Sequence, residues 1–410
     1  MLYRLYLLVK TLSIISVECV KSLFYEGNDK CIINICQKLS NINIFYVKMF
    51  QAISSDNNIL SSDVQQYLSN FTDHVPYGDE DIDTSYLDVL SKYKYKLGSL
   101  TPINSGVMSL VYEIYNEKNE KFIMKVKRKN IDKRLQESIE EMSFIISTIS
   151  LIPYVSAMNL KDVFAENIES FMEQLDFNQE VHNMIYFQQK NKNLEYIETP
   201  TVLEEITTYN KNVIVMSFIE GKKLTELDND EKDKYCELLA KFGVKCVFFD
   251  GVYHGDLHQG NLLFMKKGDE YVIGVLDFGV IGKITREEQN KFYGFMLQFY
   301  NSQFNDAANL FLDNHVGPKE NLERLSEETK NKIIQEISSI LERIITITKY
   351  ATPNDMYTIS NILHNYDLRI LRYFCKVQLA FMINETVCRN LSVNRSFIEY
   401  YGELLTSDYF

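Results

Sequence analysis

The stretch Tyr253-His254-Gly255-Asp256-Leu257-His258-Gln259-Gly260-Asn261-Leu262-Leu263-Phe264 constrains this chain more than any other. A carboxylate, Asp256, is followed five residues later by a carboxamide, Asn261. Both can address a metal-bound triphosphate. Downstream, the apolar run Val272-Ile273-Gly274-Val275-Leu276 reads as a strand and delivers a second carboxylate in Asp277-Phe278-Gly279. A turn would explain an Asp-x-x-x-x-Asn spacing standing alone. It does not explain that spacing followed by a strand and an acidic turn in this order.

Phosphoryl transfer asks for positioning and charge neutralisation more than for covalent chemistry. Magnesium takes a few hard oxygen ligands and fills its remaining positions with phosphate and water. Asn261 and Asp277 are therefore the candidate metal ligands, and Asp256 the group that orients an acceptor and takes its proton. His254 and His258 also have a chelating spacing. However, their segment contains two glycines and lacks the Glu of the helical zinc motif. The preferred reading makes His254 a packed, backbone-bonding residue and His258 a support of the loop. Upstream, Phe122-Ile123-Met124-Lys125-Val126 alternates as a strand that turns Lys125 toward a nucleotide cleft. A lysine so placed needs a carboxylate to hold it. Glu180, on the same helical face as Asp176, is the candidate; a solvated helix charge is the alternative.

A formal charge of −13 over 410 residues disfavours nucleic-acid binding, which needs a basic surface. The seven cysteines form no CxxC pair and read as reduced thiols of an intracellular, reducing compartment. Arg4 and Lys10 interrupt the apolar first twenty residues, where a signal peptide or anchor would run on unbroken. Leu2, Tyr6, Val9, Leu12, Ile15 and Val20 approximate a helical stripe. Docking of that stripe on the protein is the expectation, and peripheral membrane contact the alternative.

The coarse organisation is α+β. Residues 1–96 read as a helical N-terminal extension closed by Pro76 and an acidic linker, Tyr77 to Ser85. Residues 97–218 read as a small antiparallel-sheet lobe with inserted helices. Its strands are Val111 to Tyr115, Lys121 to Val126, Thr199 to Leu203 and Asn212 to Phe218. Residues 219–410 read as a mainly helical lobe, clearest over Asp230 to Phe249, Arg286 to Gln303, Glu327 to Lys349 and Asn365 to Asn390. The two lobes would share a cleft, with a hinge at Met216 to Gly221.

These features match the catalytic-loop and metal-binding order of kinases, with Gly255 where protein kinases usually carry Arg. More specifically, the chain resembles the UbiB-type (aarF-domain-containing) atypical kinases, over roughly residues 40 to 285. Their KxGQ motif is matched at Val47-Lys48-Met49-Phe50-Gln51, where Phe50 replaces Gly, and a similar run ends in Asp73-His74-Val75-Pro76. Their alanine-rich nucleotide loop aligns with Pro102 to Tyr112, where the alanines are gone and Gly106 stands instead. Their ExD motif aligns with Gln174-Leu175-Asp176, with Gln for Glu. His254 to Asn261 departs only at Gln259, where Pro is usual.

The resemblance implies a bilobal protein-kinase-like fold and an ATP- and magnesium-dependent kinase or ATPase in prenyl-lipid (quinone) metabolism. In it Asp256, Lys125 and Glu180 are catalytic, and Asn261 and Asp277 hold metal. Lys125, Gly106, Met108, Val111, Met216 and Phe218 contact the nucleotide. Lys48, Gln51, Gln174 and Asp176 form the family's own element, whose helix covers the cleft. The acceptor it implies is a lipid or a protein. A small-molecule phosphotransferase of the aminoglycoside or choline kinase type shares the His-Gly-Asp loop but lacks the Lys48–Gln51 element. A nucleotide-gated, non-catalytic scaffold is the reading that Phe50 and Gln174 motivate.

Overall fold

The computed structural model describes residues 2–24, 28–47, 50, 61, 63–64, 67–68, 75–151, 164, 168, 171–392 and 397–406. The chain divides into two compact units, Met1–Tyr186 with Pro200–Phe218, and Phe187–Thr199 with Ile219–Phe410.

The first unit begins with helices α1 (Leu2–Phe24) and α2 (Asn28–Ser40). Helix α3 (Tyr86–Tyr93) follows the acidic linker, inside the stretch that the sequence reads as a helical extension. Strands β1 (Lys96–Leu97), β2 (Asn104–Ser105), β3 (Ser109–Tyr115) and β4 (Lys121–Lys127) come next, then helix α4 (Ile131–Ile149). Helix α5 (Phe177–Asn191) starts in this unit, helix α6 (Glu204–Tyr209) follows, and strand β6 (Val213–Ser217) completes its sheet. The sheet order is β1-β3-β4-β6, with β2 on β3, and all pairings are antiparallel.

The expected hairpin is present, with β3 and β4 in register from Ser109 opposite Lys127 to Tyr115 opposite Lys121. Asn116 builds its turn by accepting the N–H groups of Lys118 and Glu120 on its side-chain oxygen, and Asn119 takes φ 63°. Strand alternation then sorts the residues. Leu110, Tyr112, Ile114, Met124, Val126, Val213 and Val215 face one way and pack under Tyr86, Val89 and Leu90 of α3. Lys125 and Lys127 face the other way. Thr199 to Leu203 is not a strand of this sheet. The segment meets β6 only at a bridge between Val202 and Met216, flanked by Ser217 N–H to Thr201 O and Leu203 N–H to Val215 O, and the helix Glu204–Tyr209 begins directly after it.

The second core of this unit joins the N-terminal helices to α4. Ile131, Leu135, Ile139, Met142, Ile145 and Ile146 recur at helical spacing and are buried among Leu7, Leu8, Leu39, Phe45, Tyr46 and Phe50. Each wholly buried aliphatic side chain, such as Leu135, contributes about 1.5–3 kcal/mol. The stripe expected to dock α1 mostly does not. Leu2, Tyr6, Val9, Leu12 and Val20 are exposed and Ile15 is half-buried, whereas Leu7, Leu8, Thr11 and Glu18 are buried. The helix is apolar on two stripes, and the docked one contains a carboxylate. Glu18 is buried because Lys38 at 2.5 Å and Lys21 at 3.1 Å neutralise it, and they hold its carboxyl down at about 2.

Fastening of the acidic linker falls to Arg128, which donates to Val75 O, Pro76 O and the buried Asp81; Arg134 also reaches Asp81.

In the second unit strand β5 (Ile197–Glu198) lies parallel to β9 (Glu270–Val275), which pairs antiparallel with β8 (Leu262–Lys267). Strand β7 (Val252–His254) pairs with β10 (Ile281–Lys283). Helix α7 (Asn229–Val244) runs into a π-helical turn, Lys245–Asp250, that ends at Gly251 with φ 66°. The left-handed glycine reverses the chain into β7. Gln289, on helix α8 (Arg286–Tyr300), donates to Val247 O at 2.9 Å and satisfies a carbonyl that the wider turn leaves over.

Helix α8 starts with a capping box between Thr285 and Glu288. It stops at Tyr300 rather than Gln303, because Ser302 adopts φ 58° before a separate helix at Phe304–His315. The expected helix from Asn365 is also shorter. Asn365 to Asp367 form a turn with Asp367 at φ 55°, Arg369–Ile370 pair with Val316–Gly317, and the helix begins at Arg372. Among the described residues no helix is long and apolar enough to cross a membrane.

Candidate active site

In the first unit, β4 presents Lys125 between Val111 on β3 and Ile214 on β6. Its ammonium donates to Glu180 Oε1 at 2.6 Å, and both side chains are nearly buried. The two residues are 55 apart in sequence, and the helix that brings Glu180 is set by its cap. Asp176 Oδ1 accepts the N–H groups of Asn178 and Gln179, and Glu180 N–H donates to Asp176 O. Asp176 thus fixes the first turn of α5 and with it the aim of Glu180. Gln174 lies half-buried in the turn before it.

The remaining nucleotide candidates are spread along the same sheet. Gly106 sits in the tight turn between β2 and β3, where its N–H donates to Ser109 O at 2.9 Å. A Cβ at Gly106 would make only ordinary contact, so the turn itself does not require glycine. Met108 is buried in the core shared with α4 and accepts Arg128 N–H on its carbonyl. Met216 lies opposite Ile123 and is buried, and Phe218 is partly exposed beneath the Lys121 ammonium, 4.3 Å from its ring centre. Lys48 and Gln51 lie outside the described residues. Phe50, between them, is buried and stacks on Tyr46 with ring centres 6.3 Å apart.

In the second unit the loop after β7 is held by its histidines. His254 Nδ1 accepts Asp256 N–H at 3.2 Å, so its proton sits on Nε2 and is donated to the Asp277 carbonyl at 2.7 Å. One neutral imidazole therefore ties the backbone of Asp256 to that of Asp277, and neither nitrogen has a lone pair left for a metal. The ring is buried against Phe187 and Phe278. Gly255 N–H donates to Val280 O at 2.8 Å, and a Cβ at Gly255 would lie 2.7 Å from Val280 Cγ1. That approach accounts for glycine where protein kinases carry Arg.

Asn261 donates its amide to the Asp256 carbonyl at 2.8 Å, which leaves Oδ1 as the atom available to a cation. Its own carbonyl accepts Leu276 N–H at 3.0 Å, one residue before Asp277. The two oxygen donors thus stand at the same end of the β8–β9 ladder. Asp277 Oδ1 accepts Gly279 N–H at 2.8 Å, closing the acidic turn. His258 Nδ1 accepts Gly260 N–H, and its Nε2 lies 3.8 Å from Asp256 Oδ1. The Asp256 side chain is about one-third exposed.

Burial pushes the His254 imidazole below its ordinary value. A base whose folded value is depressed gives its full stability above the unfolded value of about 6.5 and loses it as pH falls below that. Protonation would turn Nδ1 from acceptor to donor against Asp256 N–H. Unfolding midpoints are therefore expected to hold above about pH 6.5 and to drop on the acid side. His254→Gln, followed by circular dichroism, is expected to flatten that acid limb.

Some contributors gave no signal in the sequence. The capping role of Asp176 is masked by its place in a motif. Phe177, whose ring lies 5.6 Å from the Lys125 ammonium, reads there as an ordinary core residue.

A lysine held by a helix glutamate on an antiparallel sheet, and a histidine-tied loop carrying Asp, Asn and Asp, define a kinase-like protein. The family model described as the ABC1 atypical kinase-like domain matches residues 87–311, and the chain belongs to that family, the UbiB-type atypical kinases. It is 26% identical over 319 residues to a probable protein kinase UbiB of Shewanella baltica, covering 72% of this chain and 57% of that one. It is also 26% identical over 294 residues to an uncharacterized protein in the hydrogenase 1 5′ region of Clostridium pasteurianum, covering 69% and 54%. The match thus spans little more than half the length of these relatives. Rv3197 of Mycobacterium tuberculosis, solved with erythromycin, superposes with a TM-score of 0.51 at 14% identity over 80% of this chain and 81% of that one. That likeness shows the shared kinase-like α+β fold.

Proposed function

We propose that this chain is an ATP- and magnesium-dependent atypical kinase or ATPase. The observation that carries the reading is the orientation of Asn261, whose amide nitrogen is committed to Asp256 O so that Oδ1 is left as a hard oxygen donor at the end of the β8–β9 ladder where Asp277 follows. When bound, magnesium would neutralise charge on the phosphates and hold them in line. Lys125, kept from wandering by Glu180, binds phosphate oxygen. The freedom for a Cβ at Gly106 supports a glycine kept there for close approach of backbone to phosphate. Asp256 orients the acceptor and takes its proton. The acceptor is a lipid or protein hydroxyl, or water in an ATPase; the resemblance to UbiB-type kinases favours prenyl-lipid (quinone) metabolism. The test is a thermal-shift titration of the full chain. Mg-ATP is expected to raise the midpoint and ATP with EDTA to raise it far less. No shift with Mg-ATP would sink the reading.

The work is proposed to take place at a membrane surface. On α1 the exposed stripe Leu2, Leu5, Tyr6, Val9, Leu12, Val20 and Leu23 is uncovered, with Leu2 85% and Leu23 79% exposed. The helix has one acidic residue, Glu18, which is buried; Arg4 pairs with Glu140 and Lys21 with Glu18, and Lys10 lies beside the stripe over the Tyr6 ring. An exposed apolar face with Lys10 at its side suits the headgroup boundary of an anionic bilayer. Co-sedimentation with phosphatidylserine vesicles is expected to fall several-fold in Leu5→Glu/Val9→Glu, with the melting midpoint unchanged. Equal sedimentation of both proteins would contradict this.

A further inference from the structure

We propose that Lys127 is a second phosphate-binding cation beside Lys125, and that it makes affinity rise with the number of phosphates a ligand carries. The inference rests on the nucleotide reading above and adds to it a residue that selects among phosphate ligands. Lys125 and Lys127 alternate onto the same face of β4, about 6.6 Å apart along the strand. Both ammoniums look onto one ring, at 5.6 Å and 5.5 Å from the centre of Phe177. Successive phosphoryl groups of one ligand can bridge two cations at that spacing. Lys127 also pairs across the ladder with Ser109, the residue that closes the Gly106 turn, so it stands at the loop end of the sheet.

Its present partner is a weak one. The Lys127 side chain is 9% exposed, and its ammonium lies 3.2 Å from Asp132 Oδ1, whose side chain is 61% exposed. A largely solvated carboxylate compensates a buried ammonium incompletely. Lys125, by contrast, is matched with a carboxylate as buried as itself. Asp132 also sits in the first turn of α4, where the helix dipole stabilises it without Lys127. A ligand phosphate can therefore take the ammonium from Asp132 at little cost.

The experiment measures binding of ATP, ADP and AMP to the full chain with magnesium, by isothermal titration. For Lys127→Gln, ATP and ADP affinity is expected to fall about ten-fold, with AMP changed far less. Lys127→Arg is expected to restore the dependence on phosphate number. Asp132→Asn, which removes the competitor, is expected to tighten ATP a few-fold, and this opposite sign guards against a folding artefact. Unchanged ATP affinity in Lys127→Gln, or an equal loss for ATP and AMP, would make Lys127 a structural ion-pair member and leave the nucleotide reading standing. Absence of nucleotide binding in the wild type would remove both.

Discussion

Lys125→Ala is expected to destabilise the first unit by about 3–5 kcal/mol, because it strands the Glu180 carboxylate without its ammonium. Both side chains of the pair are almost fully out of water, so solvent cannot replace the lost partner. For a unit of this size, that is a fall of about 10 °C in its melting transition. The double variant Lys125→Met/Glu180→Leu removes both charges and fills the space, and it is expected to recover most of the loss. Nucleotide binding is expected to fail in both variants. Recovery of the fold without recovery of binding separates the structural role of the pair from its chemical one. A Lys125→Ala protein as stable as the wild type would mean that the 2.6 Å contact contributes nothing.

Asp256→Asn is expected to lower turnover by about 10²–10⁴-fold while leaving Mg-ATP affinity and the melting midpoint near wild type. The change is isosteric, and the bonds that shape the loop use the backbone of Asp256, not its carboxylate: its N–H goes to His254 and its carbonyl to Asn261. What is removed is the negative charge of the carboxylate and with it the ability to take a proton. Turnover within a few-fold of wild type would remove Asp256 from the chemistry, and Mg-ATP binding without turnover in the wild type would favour a nucleotide-gated scaffold over a phosphotransferase.

The loop was legible in the sequence because its chemistry is local. Asp256, Asn261 and the turn at Asp277 are placed by short-range backbone bonds among residues 254 to 280. Lys125 was legible from alternation alone, since period two on a strand decides which side chains share a face. Glu180 was reached through Asp176 four residues earlier, which turned out to cap the helix rather than only to share its face.

Helix α1 was misread for a physical reason. Its sequence is apolar on two sides, so periodicity offers two stripes and cannot choose between them. The choice falls to Lys38 and Asn34 on α2, which make burial of Glu18 tolerable, and that pairing is tertiary. Thr199 to Leu203 differs similarly: its composition suits a strand, but it makes one bridge to β6 before the helix Glu204–Tyr209 takes over the chain. Lys127 lies in the basic stretch Lys125-Val126-Lys127-Arg128-Lys129, yet its burial beside Phe177 depends on α5, which begins fifty residues further along the chain.

The role proposed for Asn261 and Asp277 is to hold the metal of a metal–nucleotide complex. It is tested most directly by substituting manganese for magnesium and recording its paramagnetic resonance with ATP. The wild type is expected to give the spectrum of an immobilised manganese–nucleotide complex, and Asp277→Ala and Asn261→Ala the spectrum of manganese–ATP free in solution. The same immobilised spectrum in all three proteins would place the metal elsewhere and contradict the account.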